Sequence, residues 1–431
     1  LHSPCMDDSS APLESPASST PIPVKPREIF GWCCFDFANS AFTTIVITVV
    51  GLPYFKAVVA EGNPAAEGWW GSMLALSQVC VLLFAPLIGV VADVHASKKR
   101  YLAISALICS VATVLIFGVG EGQVWLMLGL VLVANFAFST SENICSAFLP
   151  EISTPANAGR ISGYGWSFGY LGGLLSLVIA LVIISSGEGR AHWTFAATGL
   201  FFFLASLPTL LLLKKRATPR PLAPGQRYLR VAWQQFADMK RELPEHRTLV
   251  RFFVAMTFYL AGLMAVVGFA AGYATEVLGM EQQKIIGLFA VLQIAGVAGA
   301  FGFGFLQDRT GPKLPLAAAL VIWIVACLWA SRCETVREFY MIGVLAGIGM
   351  GSLQSASRAV VSTLTPEGRS GEFFGYWGFF AKLAAVIGTF VFGNLVSLTD
   401  YRIAIAANTV FFVIGLLILL PLNLRGSVKD T

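Results

Sequence analysis

Twelve runs of mostly apolar residues divide this chain, and each is about as long as a lipid bilayer is thick. A helix needs roughly 20 apolar residues to cross the hydrocarbon core, and the polar backbone groups inside lipid must be bonded within the segment. Of the 431 residues, 56% are hydrophobic and only 12% are charged, too few polar groups for a soluble protein of this size. The sequence therefore predicts an all-α polytopic membrane protein, with helices near 29–55, 68–92, 101–119, 123–149, 161–186, 193–213, 249–275, 284–307, 314–331, 338–363, 373–397 and 402–424.

A short pattern occurs at the ends of the second and the eighth run, 215 residues apart. Each copy holds a Gln, an Asp 15 residues later, a Gly four residues before that Asp, and basic residues after it. The first copy extends from Gln78 to Asp93 and the second from Gln293 to Asp308. A repeat of this length predicts two similar six-helix bundles, an arrangement typical of transporters whose site lies between the repeats.

Two further matches align the halves. A Pro-Glu pair follows both the fourth and the tenth run, and a Gly-Tyr pair lies at the start of both the fifth and the eleventh. Counting back eight residues from each proline places Glu142 and Arg358 at equivalent positions. Under pseudo-twofold symmetry about the membrane normal, equivalent helices face each other across the centre. A charge in lipid costs roughly 3 kcal/mol even on lenient scales, so we expect both side chains to face the cavity or a partner.

The basic residues predict the orientation. Ten of the 29 Lys and Arg residues lie between Lys214 and Arg251, and others follow the second, fourth, eighth and tenth runs. The positive-inside rule places these loops and both termini in the cytoplasm. The net charge of +5 is then a consequence of topology, and nucleic-acid binding is not expected because no soluble basic domain exists.

The polar segments predict the domain boundaries. Residues 1–27 are rich in Ser, Pro and Ala and read as a disordered cytoplasmic tail rather than a signal peptide. Bundles are expected over 28–213 and 249–424, with a short cytoplasmic tail at 425–431. In the linker over 214–248, apolar residues recur at helical spacing, namely Leu229, Trp233, Phe236, Met239 and Leu243. This pattern fits either an amphipathic helix on the inner leaflet or a partly ordered segment.

Residues typical of metal, cofactor or enzyme sites are scattered. Six of the eight cysteines lie inside apolar runs, where small apolar packing is their expected role, and the four histidines are far apart in the sequence. No HExxH pattern or nucleophile arrangement is recognisable. We therefore expect no metal, no cofactor and no enzymatic activity.

Six polar side chains inside the runs are the candidate substrate-binding or coupling residues. Asp36 and Asn39, one helical turn apart, either contact substrate or an ion, or brace neighbouring helices. Glu142 is the candidate for proton coupling, because a carboxylate in a poorly hydrated cavity binds a proton more readily. Arg358 is expected to pair with Glu142 or to bind a substrate carboxylate. Lys382 is expected to bind an anionic group or to neutralise Asp36. The full set is Asp36, Asn39, Glu142, Gln354, Arg358 and Lys382.

The repeated loops after the second and eighth runs are candidate gates. An Asp at a helix end can accept hydrogen bonds from the N-terminus of a neighbouring helix and can pair with a nearby cation. The predicted gating residues are Asp93 with Arg100 in the first copy and Asp308 with Arg309 in the second. Such contacts would hold the cytoplasmic side shut in one conformation. A static role in fixing the topology is the alternative.

The repeated G-x-x-x-D loop with its trailing basic residues resembles the signature loop of the major facilitator superfamily. Residues 32–42 (WCCFDFANSAF), 354–358 (QSASR) and 372–376 (EFFGY), together with Lys382, resemble the vacuolar amino-acid effluxer-like family within it. This resemblance implies a twelve-helix transporter, with amino acids or short peptides as the favoured substrates. Since many members are bacterial, it also implies a multi-pass protein of the bacterial inner membrane.

These observations predict a secondary active transporter that moves a small polar metabolite by alternating access, coupled to protons. Its partners would be the small-molecule substrate, a proton or other coupling ion, and the lipid bilayer, and a monomer would provide the whole path. The alternative is a non-transporting membrane receptor or lipid-interacting module on the same scaffold. In that case the charged residues of the cavity would be dispensable.

Overall fold

The computed structural model describes residues 23–187, 189–216, 230, 233–234 and 246–424. This part of the chain contains twelve helices that are long and apolar enough to cross a membrane, and the prediction of an all-α polytopic membrane protein is confirmed. We number only these long helices. They are α1 (Pro26–Phe42), α2 (Ala66–Val94), α3 (Lys98–Ile116), α4 (Val124–Ser146), α5 (Ala158–Ser185), α6 (Trp193–Leu212), α7 (Arg247–Glu276), α8 (Gln282–Thr310), α9 (Lys313–Ala330), α10 (Val336–Leu364), α11 (Ser370–Leu398) and α12 (Tyr401–Leu419).

Three of the expectations concern residues that lie wholly or largely outside the described part. These are the tail predicted over 1–27, of which residues 1–22 are not described, the tail at 425–431, and the amphipathic pattern in the linker. Of that pattern the structure describes only Trp233. The exact domain boundaries stay predictions.

The helices form two six-helix bundles with matching internal packing. In the first bundle α1 packs against α5 and α6, and in the second α7 packs in the same way against α11 and α12. The bundles meet through two equivalent pairs, α2 with α11 and α8 with α5. The pseudo-symmetric arrangement predicted from the repeat is therefore present.

Glycines allow the two bundles to touch backbone to backbone. A Cβ added at Gly89 of α2 would lie 2.1 Å from the carbonyl oxygen of Gly371 in α11. A Cβ at Gly163 of α5 would lie 2.5 Å from the carbonyl oxygen of Ala300 in α8. Small residues at such positions permit the closest helix approach in a membrane. We call these two contact lines the glycine seams.

The first membrane-spanning helix changes its winding in its second half. After Phe42 it continues as a π-helix over Thr43–Val49, in which residues five apart are bonded. The Val50 N–H, for example, donates to the carbonyl oxygen of Ile45 at 2.9 Å. A second π-helical stretch follows at Phe55–Val59. Wide turns of this kind occur often at functional sites, and the first of them borders the cavity described next.

Candidate functional site

A cavity of about 360 Å³ lies between the two bundles. We call the side of the molecule that carries Asp93 and Asp308 the Asp-loop side. The residues of α1 that line the cavity begin at Asp36, those of α5 begin at Trp166, and those of α10 end at Gln354. The cavity therefore begins at the middle of the helices and extends away from the Asp-loop side. On the Asp-loop side itself, the glycine seams bring the bundles together.

The two bundles give this cavity walls of opposite character. The first bundle contributes a hydroxyl-rich strip from α1 and its π-helical continuation, which consists of Ser40, Thr43, Thr44 and Thr48. The second bundle contributes mainly apolar side chains, among them Met264, Phe269, Leu292, Trp323, Ile342 and Phe392. Such a cavity suits a ligand with one polar end and one apolar end.

Five of the six candidate residues line the cavity, namely Asp36, Asn39, Glu142, Gln354 and Lys382. The side-chain oxygen Oδ1 of Asn39 is buried and has no hydrogen-bond partner in the described part of the chain. Gln354 is fixed differently, because its Oε1 accepts a 2.7 Å hydrogen bond from the Tyr170 hydroxyl. That bond joins α10 to α5 across the bundle interface.

The sixth candidate, Arg358, lies next to the cavity on its Asp-loop side and pairs with Asp36. Its Nη2 donates to Asp36 Oδ2 at 2.7 Å, and the arginine side chain is almost fully buried. The pair joins α10 of one bundle to α1 of the other. A buried and hydrogen-bonded ion pair of this kind is costly to break when only one partner is removed.

Glu142 and Lys382 face the same cavity from opposite bundles without direct contact. Among the described residues neither forms an ion pair or a hydrogen bond, and the Lys382 Nζ lies 6.0 Å from the centre of the Phe138 ring. Lys382 is nevertheless the charged group that acts most strongly on Glu142. The α4 and α11 backbones approach each other nearby, because Gly378 leaves room for the Asn143 amide.

The structure does not bring Glu142 and Arg358 together. Although the repeat places them at equivalent depths, α4 packs against α2, α3 and α11, whereas α10 packs against α5, α8 and α9. For each of the two charges, the opposite charge that acts most directly on it lies on a different helix of the opposite bundle. Arg358 pairs with Asp36, and Lys382 acts on Glu142 rather than neutralising Asp36.

Asp93 caps a helix of the other bundle, which is the contact expected of the repeated loop, while its role as a gate stays a prediction. Its two carboxylate oxygens accept the N–H groups of Gly371 and Glu372 at 3.0 and 2.9 Å, at the N-terminus of α11. Lys98 lies 3.5 Å from Asp93 Oδ1, forms an ion pair with Glu151, and donates to the Ser370 hydroxyl at 2.6 Å. This cluster is almost entirely buried.

Asp308 makes the equivalent contact in the second copy of the pattern. Its Oδ1 accepts the Gly159 N–H at 2.8 Å and its Oδ2 accepts the Arg160 N–H at 3.2 Å, at the N-terminus of α5. The Arg160 side chain lies 3.6 Å from the same carboxylate and is 47% exposed. The two Asp contacts thus share their geometry but differ in how far water reaches them.

The basic residues that lie beside the two aspartates are not the ones predicted from the sequence. Arg100 and Arg309 are exposed, and neither forms an ion pair with another described residue. Lys98 and Arg160 take the expected places beside the two aspartates. Sequence reasoning also missed Ser162 and Trp32, which hold Arg358. The position of Ser162 in the repeated opening of α5, which reads Ile-Ser-Gly-Tyr over residues 161–164, was the available signal.

A model of the family described as vacuole effluxer Atg22 like matches residues 72–431. The chain belongs to this family. The matched range begins after α1, so Asp36 and Asn39 lie outside it, while the whole second bundle lies inside it. The resemblance inferred from the short motifs is thereby confirmed for the family.

The curated relatives of this Atg22-like protein include bacterial and fungal sequences. The uncharacterized MFS-type transporter YxiO of Bacillus subtilis is 25% identical over 90% of this chain and 93% of its own length. Autophagy-related protein 22 of Kluyveromyces lactis is 22% identical over 78% of this chain and 75% of its own. For Autophagy-related protein 22-1 of Penicillium rubens, which is 24% identical, the match covers only 49% of the relative. The chain thus spans about half the length of several fungal relatives.

Solved structures show the same fold at low sequence identity. The human organic anion transporter MFSD10 has a TM-score of 0.75 with 13% identity, over 92% of this chain and all of that one. A bacterial homologue of the iron transporter ferroportin, in an outward-facing state, has a TM-score of 0.70 with 12% identity, over 91% and 98% of the two chains. The Atg22-like protein therefore has the major facilitator fold and is a transporter by family, and at that level it is not an enzyme.

Proposed function

We propose that this Atg22-like protein moves a small zwitterionic metabolite, an amino acid or a short peptide, by proton-coupled alternating access. The observation that carries the proposal is the pair of unpaired charges in the cavity. Glu142 and Lys382 come from different bundles, line one cavity, and have no ion-pair partner among the described residues. Free charges at this depth are costly unless a ligand or another charge compensates them.

A zwitterion matches these two groups. Its ammonium complements Glu142, its carboxylate complements Lys382, and binding compensates both charges at once. Because the groups belong to opposite bundles, such a ligand would bridge the halves that must move relative to each other. The apolar wall of the second bundle would cover the rest of the ligand, and the cavity volume lies within the range for small-molecule sites.

Proton coupling is assigned to the carboxylates of the cavity. A carboxylate that faces a partly dehydrated cavity and can lose its cationic neighbour changes its proton affinity during the transport cycle. Glu142 meets this condition, since Lys382 acts on it without being bonded to it.

The distribution of basic residues supports the proposed location. The Asp-loop side carries the basic loops, so the positive-inside rule makes it the cytoplasmic face of a bacterial inner membrane. The cavity would then face outward in this conformation. The path lies within one chain, so a monomer suffices.

Transport is tested with purified protein in liposomes, using labelled amino acids and dipeptides with and without an imposed pH gradient. We expect gradient-driven accumulation of at least one compound in the wild type. Glu142→Gln should reduce it by at least about tenfold, because the charge that binds both ligand and proton is lost. Glu121→Gln, in the exposed loop before α4, is the matched control and should transport normally.

The outcomes separate the proposal from its rival. Exchange that is independent of the pH gradient and persists in Glu142→Gln would remove proton coupling from Glu142. If no compound of the panel is moved while the protein stays folded, the zwitterion proposal is wrong and the receptor or lipid-module alternative gains support.

A further inference from the structure

The four hydroxyls in the strip along the first membrane-spanning helix are not equally engaged. Those of Ser40, Thr43 and Thr48 donate to backbone carbonyl oxygens of the same helix at 3.1, 3.2 and 2.9 Å. The Thr44 hydroxyl also lines the cavity, but it forms no hydrogen bond with any residue that the structure describes. Thr44 therefore offers the cavity a hydroxyl that can both donate and accept.

The apolar wall of the second bundle holds a second unengaged group. The amide of Gln293, on α8, lines the cavity and forms no hydrogen bond within the described part of the chain. Two other polar side chains of this wall are engaged. Gln354 accepts a hydrogen bond from Tyr170, and the Tyr273 hydroxyl donates to a backbone carbonyl oxygen of α9. An unengaged amide among apolar side chains is the kind of group that orients a ligand.

A glycine of α5 brings these two groups together. A Cβ added at Gly173 would lie 2.2 Å from Gln293 Nε2 and 3.1 Å from Thr44 Oγ1. The amide and the hydroxyl are therefore neighbours, although they come from opposite bundles. We call Thr44, Gln293 and Gly173 the polar subsite.

Two helices give the depth of this subsite independently. On α8, Gln293 lies 15 residues from Asp308, which is about 22 Å at 1.5 Å per residue. On α5, Gly173 lies 14 residues from Gly159, which is about 21 Å. Because Asp308 accepts the Gly159 N–H, both lengths are measured from the same contact on the Asp-loop side. They place the polar subsite at one level.

Lys382 lies closer to the Asp-loop side. It is ten residues beyond Glu372, whose N–H binds Asp93, so it is about 15 Å from that side. A ligand whose carboxylate binds Lys382 must therefore extend about 6 Å to reach the polar subsite. Three bonds of an extended chain span about 3.5 Å, so about five bonds cover this distance. The free amino acid glutamine has its side-chain amide at this distance from its carboxylate.

We propose that the polar subsite binds a neutral amide at the end of the substrate's side chain, so that glutamine-like amino acids are preferred to apolar ones of similar length. This inference rests on the zwitterionic substrate proposed above and names its side-chain class. The Gln293 amide can both donate and accept, which matches the two functions of a ligand amide, and the Thr44 hydroxyl supplies a further partner. The ligand's methylene groups pack against the apolar wall between its charged end and the subsite.

The members of the polar subsite are uncharged, which favours a neutral group over an ionised one. Among the described residues, the charged side chains that line the cavity are Asp36, Glu142 and Lys382. A side-chain carboxylate held at the subsite would lose hydration without meeting a counter-charge there. The subsite should therefore distinguish glutamine from glutamate as well as from apolar amino acids.

Binding is measured in detergent from the rise in melting temperature with increasing concentration of glutamine, methionine or glutamate. This measurement needs neither a pH gradient nor movement across a membrane. Methionine is similar in length to glutamine but lacks the amide, and glutamate replaces the amide by a charge. For the wild type we expect an apparent dissociation constant at least about fivefold lower for glutamine than for the other two.

Gln293→Met removes the amide and keeps the length of the side chain. We expect it to weaken glutamine binding by at least about fivefold relative to methionine binding. Thr44→Val, which keeps the shape and removes the hydroxyl, should reduce the same preference. Gly173→Ala places a methyl group where Gln293 Nε2 lies, so it should also reduce the preference by displacing the amide.

Gln78→Met is the matched control. Gln78 is the equivalent residue of the first copy of the repeat, and it does not line the cavity. This variant should keep the wild-type preference for glutamine.

Two results would overturn the inference directly. One is a wild type that binds methionine or glutamate at least as tightly as glutamine. The other is Gln293→Met that weakens glutamine and methionine binding equally. If none of the three amino acids binds, the inference also fails, and the liposome assay then shows whether the proposed function fails with it. Accumulation of another amino acid or of a dipeptide would keep the transport proposal, whereas no accumulation of any compound would remove both.

Discussion

At the scale of single residues, the two cations near the centre differ in what holds them. Arg358 has three hydrogen bonds and two aromatic faces around it, whereas among the described residues Lys382 has only the distant ring of Phe138. A fully engaged cation maintains the structure, and removing its partner leaves a buried charge. A loosely held cation in a cavity is free to bind a ligand.

Replacing Lys382 should therefore affect binding more than folding. For Lys382→Gln we expect the half-saturation concentration of a transported amino acid to rise by at least about tenfold, because one charge-assisted contact to its carboxylate is lost. The amide of the same amino acid, which lacks the carboxylate, should be transported equally by both proteins. Uptake kinetics and a melting curve check this.

Lys284→Gln is the matched control, since Lys284 is exposed at the start of α8, outside the cavity. If the half-saturation concentrations of the amino acid and its amide rise equally, Lys382 does not bind the carboxylate. A large drop in melting temperature would instead give it a structural role.

The sequence predicted the depth of these charges but not their partners. Equal distances from two prolines placed Glu142 and Arg358 at one level, and helical periodicity placed Asp36 and Asn39 one turn apart on the first helix. Which neighbouring helix each side chain meets depends on helix rotation and on close approaches such as that at Gly165. Helix rotation and close helix approaches are tertiary properties, and they cannot be inferred from a single sequence.

At the scale of elements, the sequence likewise predicted the Asp-loop contacts but not all of their partners. An Asp capping a neighbouring helix was predictable, because helix N-termini attract carboxylates. The choice of Lys98 rather than Arg100 was not predictable, since the two basic residues lie only two positions apart in the loop that follows Asp93. Lys98 begins α3 and its side chain is directed into the buried cluster, while Arg100 is turned outward.

The two contacts should contribute unequally to closure. Asp93 shares a buried cluster with Lys98 and Glu151, whereas the cation beside Asp308 is half exposed and screened by water. A carboxylate at a helix N-terminus stabilises by about 0.3–1 kcal/mol when exposed and up to about 2 kcal/mol when partly buried. When a cysteine replaces the fully buried Ser355 of α10 and is labelled with N-ethylmaleimide as a measure of opening, Asp93→Asn should speed labelling more than Asp308→Asn. Equal effects, or a larger effect of Asp308→Asn, would contradict the importance of burial here.

At the scale of the whole molecule, the pseudo-twofold axis relates positions whose charges are opposite in sign. Glu142 and Arg358 are equivalent by the repeat, yet each meets a counter-charge in the other bundle. One of these couples is a buried ion pair between the bundles, and the members of the other line the cavity without direct contact. A symmetric scaffold thus carries an asymmetric electrostatic arrangement, because each couple takes one residue from each bundle but only one couple is a bonded ion pair.

The glycine seams have a thermal consequence. Where Gly89 meets Gly371 and Gly163 meets Ala300, backbone touches backbone, so peptide groups are covered at these points. Parting these surfaces exposes peptide groups along with small apolar ones, whose contributions to the heat capacity have opposite signs. Opening should therefore change the heat capacity little, and an Arrhenius plot of substrate exchange in fluid-phase liposomes should be close to straight. Marked curvature would mean that opening exposes extensive apolar surface; a straight line would mean that the protein moves between its states with nearly constant activation enthalpy.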